Sequence, residues 1–150
     1  MVQKLVKAMA AAGAAAAFLG ASAAAQVPDP FARQLAQRLA RAEQVADQYG
    51  YSRAAGPFAA GLGQGLVRRY QVTLRAGQDY RIIGVCDERC RDLDLRVLDP
   101  NESLVAQDIL RDAIPVVQVQ PRVTGQHTIE VLMPNCGAPS CFFAFNVYAR

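Results

Sequence analysis

Alternation of apolar and polar residues is the feature that most limits the fold of this chain. It begins after Leu66, where RYQVTLRAG alternates Tyr70, Val72 and Leu74 with polar residues. Similar runs follow (DYRIIGVC, DLDLRVLD, ESLVAQD, IPVVQVQ, QHTIEVLM and FFAFNVYA), separated by turn-rich pieces such as DPNE, QPRVTG and PNCGAPS. A period of two places one face of a strand on a core and the other in water. Residues 66–150 are therefore predicted to form an all-β antiparallel sandwich of about seven to eight strands.

An amphipathic helix is predicted before the sandwich, within residues 26–51. In FARQLAQRLARAEQVADQYGY apolar residues recur every three or four positions, and glutamines occupy much of the other side. Asp29 and Pro30 supply a start signal, and Gly50 follows the last periodic residue. We expect this helix to dock on the sandwich or, through residues 31–49, on a second copy of the chain. A partly disordered spacer and a membrane-surface helix are the alternatives.

Residues 52–65 differ from both neighbouring segments in composition. Their sequence, SRAAGPFAAGLGQG, is rich in glycine and alanine and contains one proline. Such a composition predicts a linker or a loosely packed crossing segment.

The first 25 residues have the pattern of a cleavable signal peptide. Lys4 and Lys7 precede an apolar, alanine-rich run, and Ala23-Ala24-Ala25 offers the small residues that signal peptidase accepts before Gln26. The apolar run is shorter than the roughly 20 residues that span a bilayer. We therefore expect an exported protein, periplasmic or secreted, with no transmembrane segment in the mature chain.

The charge of the mature chain argues against a nucleic-acid partner. The full chain has 16 basic and 13 acidic residues, so removal of Lys4 and Lys7 leaves 14 arginines and a net charge of +1. A balance so near neutrality gives no electrostatic reason to expect nucleic acid or an acidic surface.

Four cysteines form an even set: Cys86, Cys90, Cys136 and Cys141. In an oxidising compartment such a set predicts disulfides. Three connectivities exist, and local pairing, Cys86–Cys90 with Cys136–Cys141, is favoured because each close pair flanks a turn at a strand end. Zinc binding and thioredoxin-like redox chemistry are weaker alternatives, because both use tighter spacings such as Cys-x-x-Cys.

The strand and turn order of residues 66–150 resembles the bacterial pre-peptidase C-terminal domain. The resemblance is carried by LRAGQDYRI, DLDLRVLDPNESLVAQD and IPVVQVQPRVTGQHTIEV. It implies a jelly-roll-like sandwich with a role in binding or folding. The chain departs from the family at Glu102, where a turn glycine is usual, at His127, where a tyrosine is usual, and in its two added cysteine pairs.

Enzymatic chemistry has little support in the sequence. The single histidine, His127, shares the apolar strand face of Ile129 and Val131, which predicts a packed, hydrogen-bonded ring. Neither Ser103 nor Ser140 lies in a Gly-x-Ser-x-Gly elbow. We therefore predict a protein that is not an enzyme and needs no cofactor, with calcium as the one candidate ion.

The acidic residues in and after the predicted strand DLDLRVLD are the basis of that calcium hypothesis. Asp92 and Asp94 alternate with core leucines and so share one strand face, with Asp99 and Asp108 nearby in sequence. Calcium takes six to eight oxygen ligands, several of them from carboxylates. Interleaved arginines favour the competing interpretation, in which these acids cap turns and form surface ion pairs.

The functional prediction is an exported, non-enzymatic module that binds a protein or a glycan. Its candidate contact residues are the strand positions expected to be exposed: Arg75, Arg81, Arg96 and Tyr148. The alternatives are an oligomerising envelope protein that uses the helix and a calcium-stabilised accessory domain.

Overall fold

Residues 26–150, which the computed structural model describes, form one helix followed by eight strands. The predicted signal peptide, residues 1–25, lies outside the described residues. In chain order the elements are α1 (Asp29–Gln48), β1 (Ser52–Leu62), β2 (Val67–Leu74), β3 (Tyr80–Cys86), β4 (Cys90–Leu98), β5 (Leu104–Asp108), β6 (Val116–Val119), β7 (Gly125–Cys136) and β8 (Cys141–Ala149).

The strands form two four-stranded sheets that face each other. Sheet A has the order β1-β8-β3-β6, and sheet B has the order β2-β7-β4-β5. Neighbouring strands in both sheets are antiparallel. The predicted antiparallel β fold with one preceding helix is thereby confirmed.

The core lies between the sheets and contains the side chains that the alternation predicted. Leu93, Leu95 and Val97 of β4 are buried, as are Phe143 and Phe145 of β8. Stacked apolar side chains of this size supply most of the driving force for folding. The period of two therefore identified the inward face of sheet B correctly.

Sheet A departs from simple alternation because α1 covers its outer face. Leu35 and Leu39 pack on Val85 and Ala144, and Ala46 packs in a second cluster with Tyr148. The strands beneath the helix, β3 and β8, are consequently buried on both faces. Helix α1 therefore docks on the sandwich, which was one of the two predicted possibilities. Within residues 26–150, no helix combines the length and apolar character needed to cross a membrane.

The segment predicted as a linker, residues 52–65, is instead mostly strand β1. It pairs with β8 from Ser52, opposite Ala149, to Leu62, opposite Cys141. The prediction was wrong because small residues conceal the alternation. Small residues are needed here: a Cβ at Gly56 would lie 2.5 Å from the side-chain oxygen of Asn146.

Candidate functional site

Both disulfides lie at one end of the sandwich, which we call the closed end. Cys86 is bonded to Cys90, and Cys136 to Cys141, with Cα atoms 5.9 Å apart in each pair. The two bridges are adjacent, because Cys90 and Cys136 are directly opposite in the β4–β7 ladder. The structure thus has the favoured local pairing, and the described residues include no free cysteine.

Asp87, inside the first disulfide loop, ties the two loops together. Its fully buried carboxylate accepts hydrogen bonds from the backbone and guanidinium of Arg89, at 2.8 to 3.1 Å, and from the backbone N–H of Phe142, at 2.6 Å. Burial alone would raise the pKa of this carboxyl, but the hydrogen bonds from Arg89 and Phe142 outweigh it and lower the pKa. Asp87 is therefore a charged structural residue, held ionised by its donors.

The closed end also anchors the first half of α1. The guanidinium of Arg89 lies 3.9 Å from the ring centroid of Phe31, whose ring stacks on Phe142 at 5.0 Å. Arg38 donates a hydrogen bond to the backbone carbonyl of Cys86. Aromatic stacking and cation–π contacts of this kind stabilise packed surfaces. The aspartate, arginine and cysteines of this end are thus engaged in structure.

Asp92 and Asp94 share the outer face of β4, as predicted. Asp94 is 8% exposed, and Asp92 and Asp94 each have one buried oxygen with no hydrogen-bond partner. Burial, and next the negative charge of Asp92, raise the pKa of Asp94 to about 6, while Arg96 acts in the opposite direction. Burial is also the main reason why the pKa of Asp92 is raised.

The other two predicted calcium ligands are not brought to this pair. Asp99 accepts the backbone N–H groups of Asn101 and Ser103, as a turn cap. Asp108 is paired with Leu95 in the β4–β5 ladder and its two oxygens accept backbone N–H groups, although its negative charge contributes to raising the pKa of Asp94. Among residues 26–150 there is no group of three or more histidine, cysteine or acidic side chains that could hold a metal ion.

The four predicted contact residues do not form one surface. Arg75 follows the end of β2 and is exposed, whereas Arg96 is half-buried on the outer face of sheet B. Arg81 lies on sheet A, with its guanidinium 4.8 Å from the ring centroid of Tyr51. Tyr148 is buried, which corrects its prediction as an exposed residue: α1 covers its face of β8.

A groove on sheet A is the surface that the sequence did not indicate. It lies between α1 and strand β6 and has a volume of about 540 Å³. Its floor and far wall are apolar, and two arginines stand on the helix side. The lining residues are Arg38, Arg41, Ala42, Val45, Ile83, Val85, Ala113, Ile114 and Val116. We call it the α1–β6 groove.

The outer edge of β6 borders this groove and is unpaired. The carbonyl of Pro115 accepts the N–H of Gly84 on β3 at 2.9 Å, so the alternate residues Val116 and Gln118 direct their backbone groups away from β3. The N–H of Val116 is bonded to Asp108 at 2.9 Å. In the described part of the chain no strand pairs with this edge, which leaves both backbone groups of Gln118 unpaired.

The opposite edge of sheet A is built differently. Strand β1 has register shifts between Arg53 and Ala55 and between Ala55 and Phe58, and it contains Pro57. Bulges and proline are the usual devices that prevent an edge strand from pairing with another chain. The β6 strand itself, Val116–Val119, has neither device.

Exposed apolar side chains surround the β6 edge. They lie on β5, on β6 and in the loop between them, a region that we call the open side: Leu104, Val105, Ile109, Leu110, Ile114 and Val116. The sequence contained a signal for this surface, because the adjacent apolar pairs Leu104-Val105 and Ile109-Leu110 break the alternation. It did not show that the two pairs lie beside the β6 edge. Contiguous exposed apolar surface is typical of interaction sites.

A second cleft, of about 650 Å³, lies on the other side of the β6 edge. Gln118 and Val119 of β6 and Leu104 and Val105 of β5 contribute to its lining. His127 also contributes, but its ring is buried and its Nδ1 lies 3.1 Å from the carbonyl oxygen of Gly125. This confirms the predicted packed, hydrogen-bonded histidine.

Comparison with known proteins gives no family for this chain. No family model matches its sequence, and no curated protein matches it. The likeness of residues 66–150 to the pre-peptidase C-terminal domain therefore stays a prediction, and the geometry of the open side carries the functional argument.

Proposed function

We propose that this chain is an exported, non-enzymatic β-sandwich module that binds another protein through the open side and the α1–β6 groove. The observation that carries the proposal is an apolar groove bordered by an unpaired strand edge. An exposed strand edge offers hydrogen bonds to a polypeptide, and an adjacent apolar surface supplies affinity.

Export is supported by the two disulfides and by the predicted signal peptide. Disulfides form and persist outside the reducing cytosol, and both bridges are present here. The compartment that we propose is therefore the periplasm or the extracellular space.

The jelly-roll-like topology is supported by the strand orders β1-β8-β3-β6 and β2-β7-β4-β5. Eight strands divided between two sheets in this way are compatible with two Greek keys. The resemblance to the pre-peptidase C-terminal domain gains support at Glu102, whose backbone φ of 62° is the conformation that favours a turn glycine.

A protein is favoured over a glycan because the groove is apolar. Among the large apolar residues exposed in residues 26–150, Tyr49 is the one aromatic side chain, and Arg81 lies 5.1 Å from its ring centroid. The groove itself is lined by no carboxylate, amide or hydroxyl side chain. Few groups there could hydrogen-bond to sugar hydroxyls.

Oligomerisation through residues 31–49 gains no support from the contacts of α1. The apolar stripe that would pair two helices is packed on sheet A of the same chain, through Leu35, Leu39 and Ala46. The second predicted class, an oligomerising protein, is therefore not the function that we propose.

Position-specific photo-crosslinking would test the proposed function. A photoreactive amino acid in place of Ile114, in cells that produce the full chain, should give adducts of discrete mass that a protease degrades. The control position is Gln126, which is exposed on the outer face of sheet B. Equal adducts at both positions, or none at position 114, would contradict the proposal, and glycosidase-sensitive adducts would favour a glycan.

A further inference from the structure

We propose that the partner segment is an extended strand of alternating apolar and acidic residues that pairs with β6 as a fifth strand of sheet A. This inference rests on the proposed function, since it names the chemistry of what occupies the same surface. Three observations bear on it: the backbone of the edge, the charge of the groove and the protection of the other edge.

The backbone of β6 specifies an extended partner. Val116 and Gln118 present their backbone groups outward, and only the N–H of Val116 is bonded, to Asp108. The carbonyl of Val116 and both groups of Gln118 can therefore pair with a new strand, as in strand addition to other sheet edges. Pro115 and Pro121 limit the pairing to the short stretch between them.

The charge of the groove specifies acidic side chains in the partner. Arg38 and Arg41 are its only charged lining residues. Within residues 26–150 neither arginine forms a salt bridge with a carboxylate, although Arg38 bonds the carbonyl of Cys86. Complementary charge across an interface selects partners and speeds association. A basic segment would be rejected by the same two arginines.

The period of a strand matches the groove. Side chains of an added strand alternate between the two faces of the sheet, so every second one would lie beside Val116 on the outer face. Ile83 and Val85 form the apolar floor there, and Arg41 stands on the helix wall. Acidic side chains on that face would be directed toward Arg41, while apolar side chains on the inner face would be directed toward the cleft that Leu104 and Val119 line.

The edge at the other side of the sheet makes the choice of β6 specific. Strand β1 is interrupted by two register shifts and by Pro57. Sheet A therefore has one edge that resists strand addition and one that permits it. A partner strand that recognises backbone would be directed to β6.

Fluorescence polarisation with labelled ten-residue peptides tests this inference on the folded chain. The probe alternates glutamate with valine. One control peptide replaces glutamate with lysine, and another carries N-methyl groups on alternate backbone nitrogens. The glutamate peptide should bind, and the lysine and N-methylated peptides should bind at least about tenfold more weakly, because they lack charge complementarity or the hydrogen bonds of the edge.

Two variants locate the binding. Arg41→Glu should weaken binding of the glutamate peptide about tenfold and strengthen binding of the lysine peptide. Arg33→Glu changes an exposed position of the same helix outside the groove and should leave the affinity of both peptides unchanged. Val116→Glu should abolish binding of the glutamate peptide, because a carboxylate beside the edge repels the acidic side chains of the added strand.

Several outcomes would overturn the inference. These are no peptide binding, equal binding of the glutamate and lysine peptides, or undiminished binding of the N-methylated peptide. A concentration-dependent dimer that Val116→Glu abolishes would assign the edge to a second copy of the chain instead. Crosslinks at position 114 without peptide binding would reject the added strand while leaving the protein-binding module supported. Absence of both would reject both.

Discussion

At the closed end of the sandwich, a buried charge has every partner that it needs. Asp87 accepts hydrogen bonds from Arg89 and from the backbone of Phe142, between two disulfide loops. On the open side, apolar side chains lie in water: Leu110 is 68% exposed, and Val116, beside an unpaired strand edge, is 44% exposed. One region satisfies its polar groups internally, whereas the other leaves backbone and apolar groups exposed to solvent.

This contrast separates stability from function within one small domain. Groups that are paired inside the fold contribute to the free energy of unfolding, so their loss is costly. Exposed groups on a free edge contribute little to folding and are available for binding. Mutations should therefore have opposite consequences in the two regions.

The largest effect on stability is expected for Asp87→Ala. The change leaves the buried part of Arg89 and the N–H of Phe142 without an acceptor, which should lower the free energy of unfolding by about 3 kcal/mol. Urea unfolding at pH 7 measures this. Glu88→Ala, a change in the same loop at an exposed carboxylate, is the control and should cost less than about 0.5 kcal/mol. Equal losses of unfolding free energy in the two variants would contradict the stabilising role that we assign to Asp87 at the closed end.

Loss of the second disulfide should have the next largest effect. Cys136→Ala with Cys141→Ala opens a short loop, for which chain entropy predicts a loss of about 2 kcal/mol. The same urea experiment measures the change. The wild type with both disulfides and the double variant should bind the glutamate peptide at the α1–β6 groove with similar affinity. If it is lost, the two regions are not independent.

Asp94→Asn should stabilise the protein, because a partly unpaired buried charge is removed. With a folded pKa of about 6 and an ordinary value of 3.8, the folded state takes up a proton first as the pH falls. The free energy of unfolding of the wild type therefore increases as the pH falls from 7 to about 4. This contribution is lost again when the pH rises through 6.

The variant should gain about 1–2 kcal/mol at pH 7 and lose that part of the pH dependence. Urea midpoints from pH 4.5 to 7.5 would show both. A variant less stable than the wild type at pH 7 would mean that the Asp94 carboxylate has a favourable role in the native state. Such a result would contradict the expected cost of its burial.

The smallest effect on stability is expected for Val116→Glu. The side chain is 44% exposed, so the free energy of unfolding should change by less than about 0.5 kcal/mol while binding is lost. Val117→Glu, one position along β6 but facing the core, is the matched control and should cost at least about 3 kcal/mol. A similar melting temperature for the two variants would contradict the described facing of β6.

Much of the fold could be predicted from local pattern. The alternation located the core face of β4, and the turn positions beside the cysteines favoured the pairing that the structure has. The alternation could not reveal that α1 buries the outer face of β8. Tyr148 was therefore predicted to be exposed, although it is buried.

The candidate site could not be predicted because it is made by distant parts of the chain. Arg41 on α1, Ile83 on β3 and Val116 on β6 meet only through the order of strands in sheet A. Strand β1 was missed for a related reason, since alanine and glycine do not mark a period of two. Asp99 and Asp108 accept backbone N–H groups, as the interpretation competing with calcium binding predicted, but which N–H groups they bind depends on backbone geometry.

The position of β8 has a consequence for how the protein is made. The last strand of the chain lies inside sheet A, between β1 and β3, and it pairs Leu62 with Cys141 and Ser52 with Ala149. During synthesis, the helix and the early strands emerge long before the strand that joins them. Such long-range pairing slows folding. Native assembly of sheet A must therefore wait for Cys141–Ala149, and truncation before β8 should leave a chain that does not fold.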